Sequence, residues 1–297
     1  MHCLVTGALG QLGRDLTATC PPGLEAMFLG ADDLDVADED EVTAALIRLA
    51  PRVVINAAAY TAVDRAESEP ERAHAVNAQG PANLARIARI LGIRVIHIST
   101  DYVFDGRGCR PYRPGDATGP LGVYGASKLA GEQRLLEALG PQQALVIRTA
   151  WLHGATGANF PKTILRLLGE RDRLRVVADQ VGSPTWTRPL AQALWAAVAR
   201  PQVGGIHHWT DAGAASWYDL AVAVAEEGRA LGLVTREVPI DPIPASAYPL
   251  PAARPHYSLL DCDATRVALE QPVRHWREGL RGMLSELRGR LPEPPAD

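Results

Sequence analysis

Tyr124 and Lys128 stand four residues apart in Tyr-Gly-Ala-Ser-Lys, a spacing that puts both side chains on one face of a helix. A phenol with a pKa of about 10 is a poor partner for proton transfer near neutrality. An ammonium within about 4 to 6 Å favours the phenolate and lowers that value towards the range of a useful general acid. The chain contains only two Lys among its basic residues and otherwise uses Arg. Lysine at 128 therefore points to a need for a compact ammonium rather than a planar guanidinium. The pair reads as an acid-base unit of the kind that accompanies hydride transfer.

The segments around it must position that unit and a cofactor. Cys3 to Thr6 is expected as a strand running into Gly7-Ala-Leu-Gly10-Gln-Leu-Gly13, with a helix beyond. Such a glycine turn lets the backbone approach a pyrophosphate, and the following helix offers free N–H groups and its positive dipole end. Residues 26–29 predict the second strand; past it the chain has Gly30, with Asp32 and Asp33 further on. An acid at the strand end would select NADH through the ribose hydroxyl, whereas Arg14 could meet a 2′-phosphate. The pattern leans to NADPH and leaves NADH open. Asp38-Glu-Asp-Glu41 predicts a capping box opening a helix.

Arg52 to Asn56 is an apolar strand ending in small residues, Asn56-Ala-Ala-Ala-Tyr60-Thr61, with room for a flat ring or a phosphate. A long helix is expected from Glu71 to Leu91, kinked or split at Gly80-Pro81. Arg94 to Ser99 forms the fourth strand and delivers Thr100 and Asp101 to its C-terminal end, where open parallel sheets bind ligands. Thr100 could there hydrogen-bond a carbonyl that Tyr124 protonates.

The 297 residues, 47% hydrophobic, allow two moderate domains. No apolar run approaches a membrane span and no leader precedes the first strand, which predicts a cytoplasmic protein without a membrane partner. A net charge of −4 argues against nucleic acid. The four cysteines lack C-x-x-C spacing and predict reduced thiols. His207-His208 lacks the further ligands of a metal site. Residues 239–256 are Pro-rich and aperiodic, as expected of a lid or substrate grip, and Arg254 within them is a candidate clamp for a diphosphate.

Together, Gly7-x-x-Gly-x-x-Gly13, Asn56-Ala-Ala-Ala-Tyr-Thr-Ala-Val-Asp64, Ser99-Thr-Asp-Tyr-Val-Phe104, Tyr124-x-x-x-Lys128, Asp179-Gln-x-Gly-x-Pro-Thr185 and Ala253-Arg-Pro-His256 resemble the dTDP-4-dehydrorhamnose reductase family of extended short-chain dehydrogenases/reductases. The resemblance runs in order over nearly the whole chain. It implies an α/β Rossmann-type, doubly wound, mostly parallel sheet with a smaller C-terminal α/β substrate domain. It also implies reduction of a dTDP-4-keto-6-deoxy sugar at C4 by NAD(P)H. By resemblance, Tyr124 is the proton donor, Lys128 its electrostatic partner and ribose contact, and Thr100 the polariser of the keto oxygen. Gly10, Gln11 and Leu12 line the pyrophosphate, Asp35 and Val36 the adenine side, and Ala59, Tyr60 and Thr61 the nicotinamide ribose. Asp101 and Trp151 meet the sugar. The expected division is 1–150 for the nucleotide domain, with about 174–210 returning to it, 151–173 and 211–290 for the substrate domain, and a disordered tail at 291–297.

Nucleotide-sugar dehydratases follow Thr-Asp with Glu, whereas Asp101 is followed by Tyr102. Dehydration needs a separate acid and base, so carbonyl reduction is favoured. Some relatives place glutamates at a magnesium-linked dimer contact. Here the corresponding residues are Asp15, a Thr187-Arg188-Pro189 stretch without an acid, and Glu286. That argues against a Mg2+ requirement and leaves a homodimer open. Two alternatives stand: a reductase for another dTDP-4-keto-6-deoxy sugar, and a non-catalytic NADP-binding regulatory subunit like that of methionine adenosyltransferase.

Overall fold

Every residue of strands Val53–Asn56 and Arg94–Thr100 is buried, as strands covered on both faces must be. The computed structural model describes residues 2–290, and the tail expected at 291–297 lies outside the described residues. Six strands, β1 (His2–Thr6), β2 (Glu25–Leu29), β3 (Val53–Asn56), β4 (Arg94–Thr100), β5 (Ala144–Thr149) and β6 (Gly205–His208), form one sheet ordered β6-β5-β4-β3-β1-β2. All of its pairings are parallel. Strand order reverses between β1 and β3, which opens a crevice at their C-terminal ends. Alternation along the strands divides the core. Val5, Ile55, Ile96 and Ile147 face Leu16, Leu190 and Leu194 on one side, and Leu4, Val54, Val95 and Val146 face Leu46, Leu84 and Leu135 on the other.

The long helix expected from Glu71 to Leu91 is continuous but changes register. Pro70–His74 and Gly80–Leu91 are α-helical, and Ala75–Gln79 between them is a π-helical turn. Pro81 has no N–H to offer the carbonyl four residues back, which is that of Asn77. Helix Val123–Gln143 packs at this point through Gly131, where any Cβ would strike the Asn77 carbonyl. The disruption thus falls just before Gly80-Pro81 and serves the approach of the helix that carries Tyr124 and Lys128. Asp38 caps helix Glu39–Leu49 as expected, accepting from the Asp40 and Glu41 N–H groups. The box stays open, because the Glu41 carboxylate accepts from the Asp35 N–H instead.

A second core gathers Ile164, Leu168, Leu174, Val176, Leu220, Val224 and Leu280. Strand Leu174–Val177 pairs in parallel with Ile240–Ile243, so the Pro-rich segment contains a strand that its aperiodic sequence does not announce. Pro242 is tolerated because this sheet has only two strands and the proline N faces no ladder partner. Helix Thr187–Val198 packs on the main sheet, and β6 forms its edge beside β5. Among the described residues no helix is long and apolar enough to cross a membrane.

Glu227 ties helix Trp217–Ala230 to helix Trp276–Arg290 through Arg281 and Arg277, at 2.8 and 2.9 Å. The Arg281 guanidinium, helped by Arg277, holds its carboxyl down to about 2 against the effect of burial. A depressed carboxylate stabilises the fold above its unfolded pKa, and this is lost as pH falls through the folded value. Glu227→Gln is expected to lose about 1 to 2 kcal/mol in urea at neutral pH, since the exposed guanidiniums are screened by water. The difference from the parent should disappear as pH approaches 2.

Candidate active site

The crevice above β1, β3 and β4 is a cleft of about 790 Å³. Gly7 leaves β1 with φ +69°, and an added Cβ would lie 2.6 Å from the Ala57 carbonyl and the Ala58 N. Only glycine accepts that conformation so close to another backbone. The Gly10 N–H donates to the Gly7 carbonyl at 3.0 Å, and Gly10 is the extended residue from which helix Gln11–Ala18 starts. Gly13 packs on the backbone of Gly7 and Ala8. The expected cofactor residues Gly7, Gly10, Gln11, Leu12, Gly13, Asp35, Val36, Ala59, Tyr60 and Thr61 all border this one cleft.

Several of their side chains are already engaged. Gln11 Oε1 accepts from the Gly154 N–H at 3.1 Å and from Asn159 Nδ2 at 2.8 Å, bridging the glycine turn to the loop before helix Phe160–Glu170. The Tyr60 hydroxyl donates to Glu69 at 2.8 Å. Asp35 Oδ1 accepts from the Ala37 N–H. Asp32 borders the cleft, while Arg14 donates to the Leu9 carbonyl at 3.0 Å.

Thr100 ends β4, and helix Val123–Gln143 brings Tyr124 and Lys128 to the same cleft. The Thr100 hydroxyl donates to Asp101 Oδ1 at 3.1 Å and accepts from the Tyr102 N–H at 3.2 Å. Tyr102 packs edge-on to Tyr124, with ring centroids 5.5 Å apart. Burial pushes the Tyr124 phenol up to about 12, with Thr100 opposing the rise and the Asp101 charge adding to it. This is opposite to the lowering that the Tyr–Lys spacing predicts. Lys128 Nζ is taken up by the Ile98 carbonyl at 2.6 Å and lies 3.4 Å from His97 Nε2. Burial brings Lys128 down to about 8, and the rise of the Tyr124 phenol follows burial, Thr100 and Asp101 rather than Lys128. Burial also raises Asp101 to about 6.

A second cavity of about 680 Å³ lies between helices Phe160–Glu170 and Trp217–Ala230 and the segment 245–256. Trp217 borders both cavities. Its ring stacks on Trp151 with centroids 3.5 Å apart and planes 2° from parallel. Trp151 holds φ +48°, a conformation a bulky side chain adopts only where its surroundings impose it. Arg254 borders the second cavity, and its guanidinium is already paired with both oxygens of Asp64, at 3.0 and 2.7 Å. It is not among the residues bordering the cleft of Tyr124 and the glycine turn, and its hydrogen-bonding fork is partly occupied.

Asp15 and Glu286 do come together, but with Arg188 between them, 2.9 Å from Glu286 and 3.8 Å from Asp15. Asp15 also accepts from the Thr187 hydroxyl. A divalent cation needs several converging oxygens, and here the cationic position is filled by a guanidinium. These residues do not fit a bound Mg2+. His207 Nδ1 meets the Thr265 hydroxyl at 3.1 Å and His208 Nδ1 meets the Tyr112 carbonyl at 3.0 Å, so the two rings have structural partners.

The sequence of residues 1–289 matches the family model described as RmlD substrate binding domain. The chain belongs to the RmlD family. A dTDP-4-dehydrorhamnose reductase of Streptomyces griseus is 45% identical, over 98% of this chain and 95% of its own length. A dTDP-4-keto-6-deoxy-D-glucose reductase of Streptomyces niveus is 42% identical, over 93% of this chain and 94% of its own. The crystal structure of the Bacillus anthracis dTDP-4-dehydrorhamnose reductase in complex with NADP superposes with a TM-score of 0.89, at 33% identity, covering 96% of this chain and 99% of that one.

Two residues that border this RmlD-family cleft, Trp217 and Asn159, and the buried Asn77 beside it are not announced by the sequence. Asn77, within the π-helical turn, accepts from the Tyr60 N–H at 2.9 Å and donates to the Tyr60 carbonyl and to Ser127. It joins the Ala59–Thr61 loop to the helix of Tyr124. A polar residue ahead of Gly80-Pro81 was its one local signal. Trp217 enters from a helix far along the chain, and Asn159 is visible only as a helix cap.

Proposed function

We propose that this chain is an NAD(P)H-dependent reductase that converts dTDP-4-dehydro-6-deoxy-L-mannose to dTDP-L-rhamnose, with NADPH as the favoured donor. The observation that carries the reading is the meeting of a glycine-turn cleft with Thr100 and Tyr124 at one sheet edge, with Trp217 as a wall shared with a second cavity. The chain's full-length similarity to reductases of this class supports it.

In this mechanism the nicotinamide supplies a hydride to C4 of the sugar. The Thr100 hydroxyl donates a hydrogen bond to the keto oxygen, and the Tyr124 hydroxyl gives that oxygen a proton as negative charge develops there. A phenol near 12 suits an alkoxide, because the proton moves only once the oxygen has become strongly basic. The Lys128 ammonium balances the phenolate left behind. Gly7, Gly10, Gln11, Leu12 and Gly13 hold the pyrophosphate, Asp35 and Val36 the adenine end, and Ala59 to Thr61 the ribose. Asp101 and Trp151 face the sugar, and Arg254 meets the diphosphate at the rim of the second cavity, moving its fork partly off Asp64. We assign residues 1–150 and about 187–210 to cofactor binding, and 151–186 and 211–290 to the substrate; the return begins later than the expected 174 because Leu174 and Val176 pack in the second core.

The test supplies dTDP-4-keto-L-rhamnose with NADPH or NADH, follows the nicotinamide absorbance, and determines the C4 configuration of the product by NMR. Consumption of either donor with dTDP-L-rhamnose formed is the expected result. No turnover of this ketone with either donor would exclude the L-rhamnose reading, and no turnover of the D-gluco ketone as well would leave the regulatory-subunit reading. The similarity to the Streptomyces niveus enzyme favours a second reading, reduction of another dTDP-4-keto-6-deoxy sugar; faster turnover of the D-gluco ketone would select it.

A further inference from the structure

Behind Lys128, a line of buried polar groups runs across the sheet from β1 through β3 to β4. The Thr6 hydroxyl meets Asn56 Oδ1 at 2.7 Å, Asn56 Nδ2 meets His97 Nδ1 at 3.1 Å, and His97 Nε2 lies 3.4 Å from Lys128 Nζ. All four side chains are buried. Groups with no access to water must satisfy one another, so donor and acceptor roles can be assigned along the line.

A backbone N–H can only donate. The Ala58 N–H donates to Asn56 Oδ1 at 3.2 Å, which fixes the carboxamide with its oxygen towards Ala58 and Thr6. Its nitrogen therefore faces His97 and donates. His97 Nδ1 must accept, so it carries a lone pair, and the ring proton sits on Nε2, facing Lys128. An ammonium there sets donor against donor. A neutral amine can instead accept from Nε2–H while donating to the Ile98 carbonyl. His97 cannot relieve the conflict by shifting its proton to Nδ1, since the Asn56 amide donates there.

We propose that His97, locked by Asn56 as the Nε2–H tautomer, is a positioning residue that sets the pH at which Lys128 loses its charge. The residue acts through Lys128 and touches neither substrate nor cofactor. Burial already brings Lys128 low, to about 8, and depresses His97 well below its ordinary value, with the Lys128 charge adding to it. The other ionisable groups facing Lys128 are few. Glu132, one turn on along its own helix, favours the ammonium but is paired with Arg148 of β5 at 2.7 Å. Tyr124 lies one turn back on the same helix, and Asp101, at the end of β4, acts on Tyr124. From β1 and β3 only the neutral Thr6 and Asn56 enter the line, and Asn77 of the π-helical turn reaches Ser127 rather than Lys128.

His97→Gln tests this, because a carboxamide long enough to reach the place of Nε2 can turn its oxygen towards Lys128 and remove the conflict. The alkaline limb of the kcat–pH profile is expected to rise by about one pH unit, a tenfold gain in rate above the wild-type limb. A limb that stays where the parent has it overturns the proposal. The inference rests on the reductase reading, so a second measurement is independent of turnover and of the variant's folding. Nitrogen-15 NMR of the imidazoles in the unsubstituted protein, between about pH 6 and 9, should show His97 protonated at Nε2 and bare at Nδ1. The opposite tautomer would overturn the proposal whatever the enzyme reduces.

Discussion

Tyr124→Phe is expected to lower kcat by about a thousandfold, within the range typical of removing a general acid, in the ketone-reduction assay described above. Hydride arrival at a carbonyl carbon leaves an alkoxide, which in a buried cleft must be protonated as it forms. The Thr100 hydroxyl can still donate a hydrogen bond in the variant, but it is already shared with Asp101 and is a far weaker acid. Phenylalanine keeps the ring that packs edge-on to Tyr102 at 5.5 Å, so thermal stability should be almost unchanged. KM for the sugar should move little, because the lost interaction belongs to the transition state. A variant that keeps more than about a tenth of the parent rate would remove Tyr124 from the role of proton donor.

Gly7→Ala is expected to weaken cofactor binding by about a hundredfold or more and to destabilise the fold by about 3 kcal/mol. Two penalties combine at this position. A non-glycine residue is strained at φ +69°, and the added methyl lands 2.6 Å from the Ala57 carbonyl and the Ala58 N. Backbone cannot swing aside as a side chain can, so β1 and β3 must separate where a pyrophosphate would lie. Gly23 separates the two effects, since it holds φ +83° with nothing within 4 Å of its added Cβ. Gly23→Ala should lose only about 1 kcal/mol by the conformational strain and leave cofactor affinity unchanged. Equal loss of affinity in both variants, read by fluorescence titration with NADPH, would show that close approach at Gly7 is unimportant.

The readable parts of the protein were those in which a local rule and the fold agree. The apolar run Val53 to Ile55 could only be a doubly covered strand, and a glycine turn after the first strand could only open a cleft at that strand's C-terminal end. Arg94 to Thr100 likewise announced where Thr100 would stand. Local rules misled where a distant element intervened. Gly80-Pro81 signalled a break, but the helix absorbed the missing N–H as a π-helical turn whose Asn77 serves Tyr60 and Ser127. The Pro-rich stretch concealed Ile240–Ile243, since a strand with only one partner needs half of its backbone groups for pairing. Arg254 is expected from the sequence as a clamp for a diphosphate, with no local sign of its partner Asp64, which lies 190 positions away in the chain.

By itself the sequence determined the types and local spacing of the candidate site residues, the order of strands and helices, and the glycines on which a phosphate-sized ligand could rest. These follow from steric rules and helix or strand periodicity, which act over a few residues. Only the tertiary structure decided the proton affinities and the neighbours. Lys128 and Tyr124 are four residues apart in either description, yet burial raises the phenol and lowers the amine, because desolvation depends on everything packed around a group. Trp217 meets Trp151, Arg188 fills the space between Asp15 and Glu286, and Asn56 orients His97 behind Lys128 for the same reason. Each of these contacts joins segments far apart in the chain, brought together by the packing of the two cores.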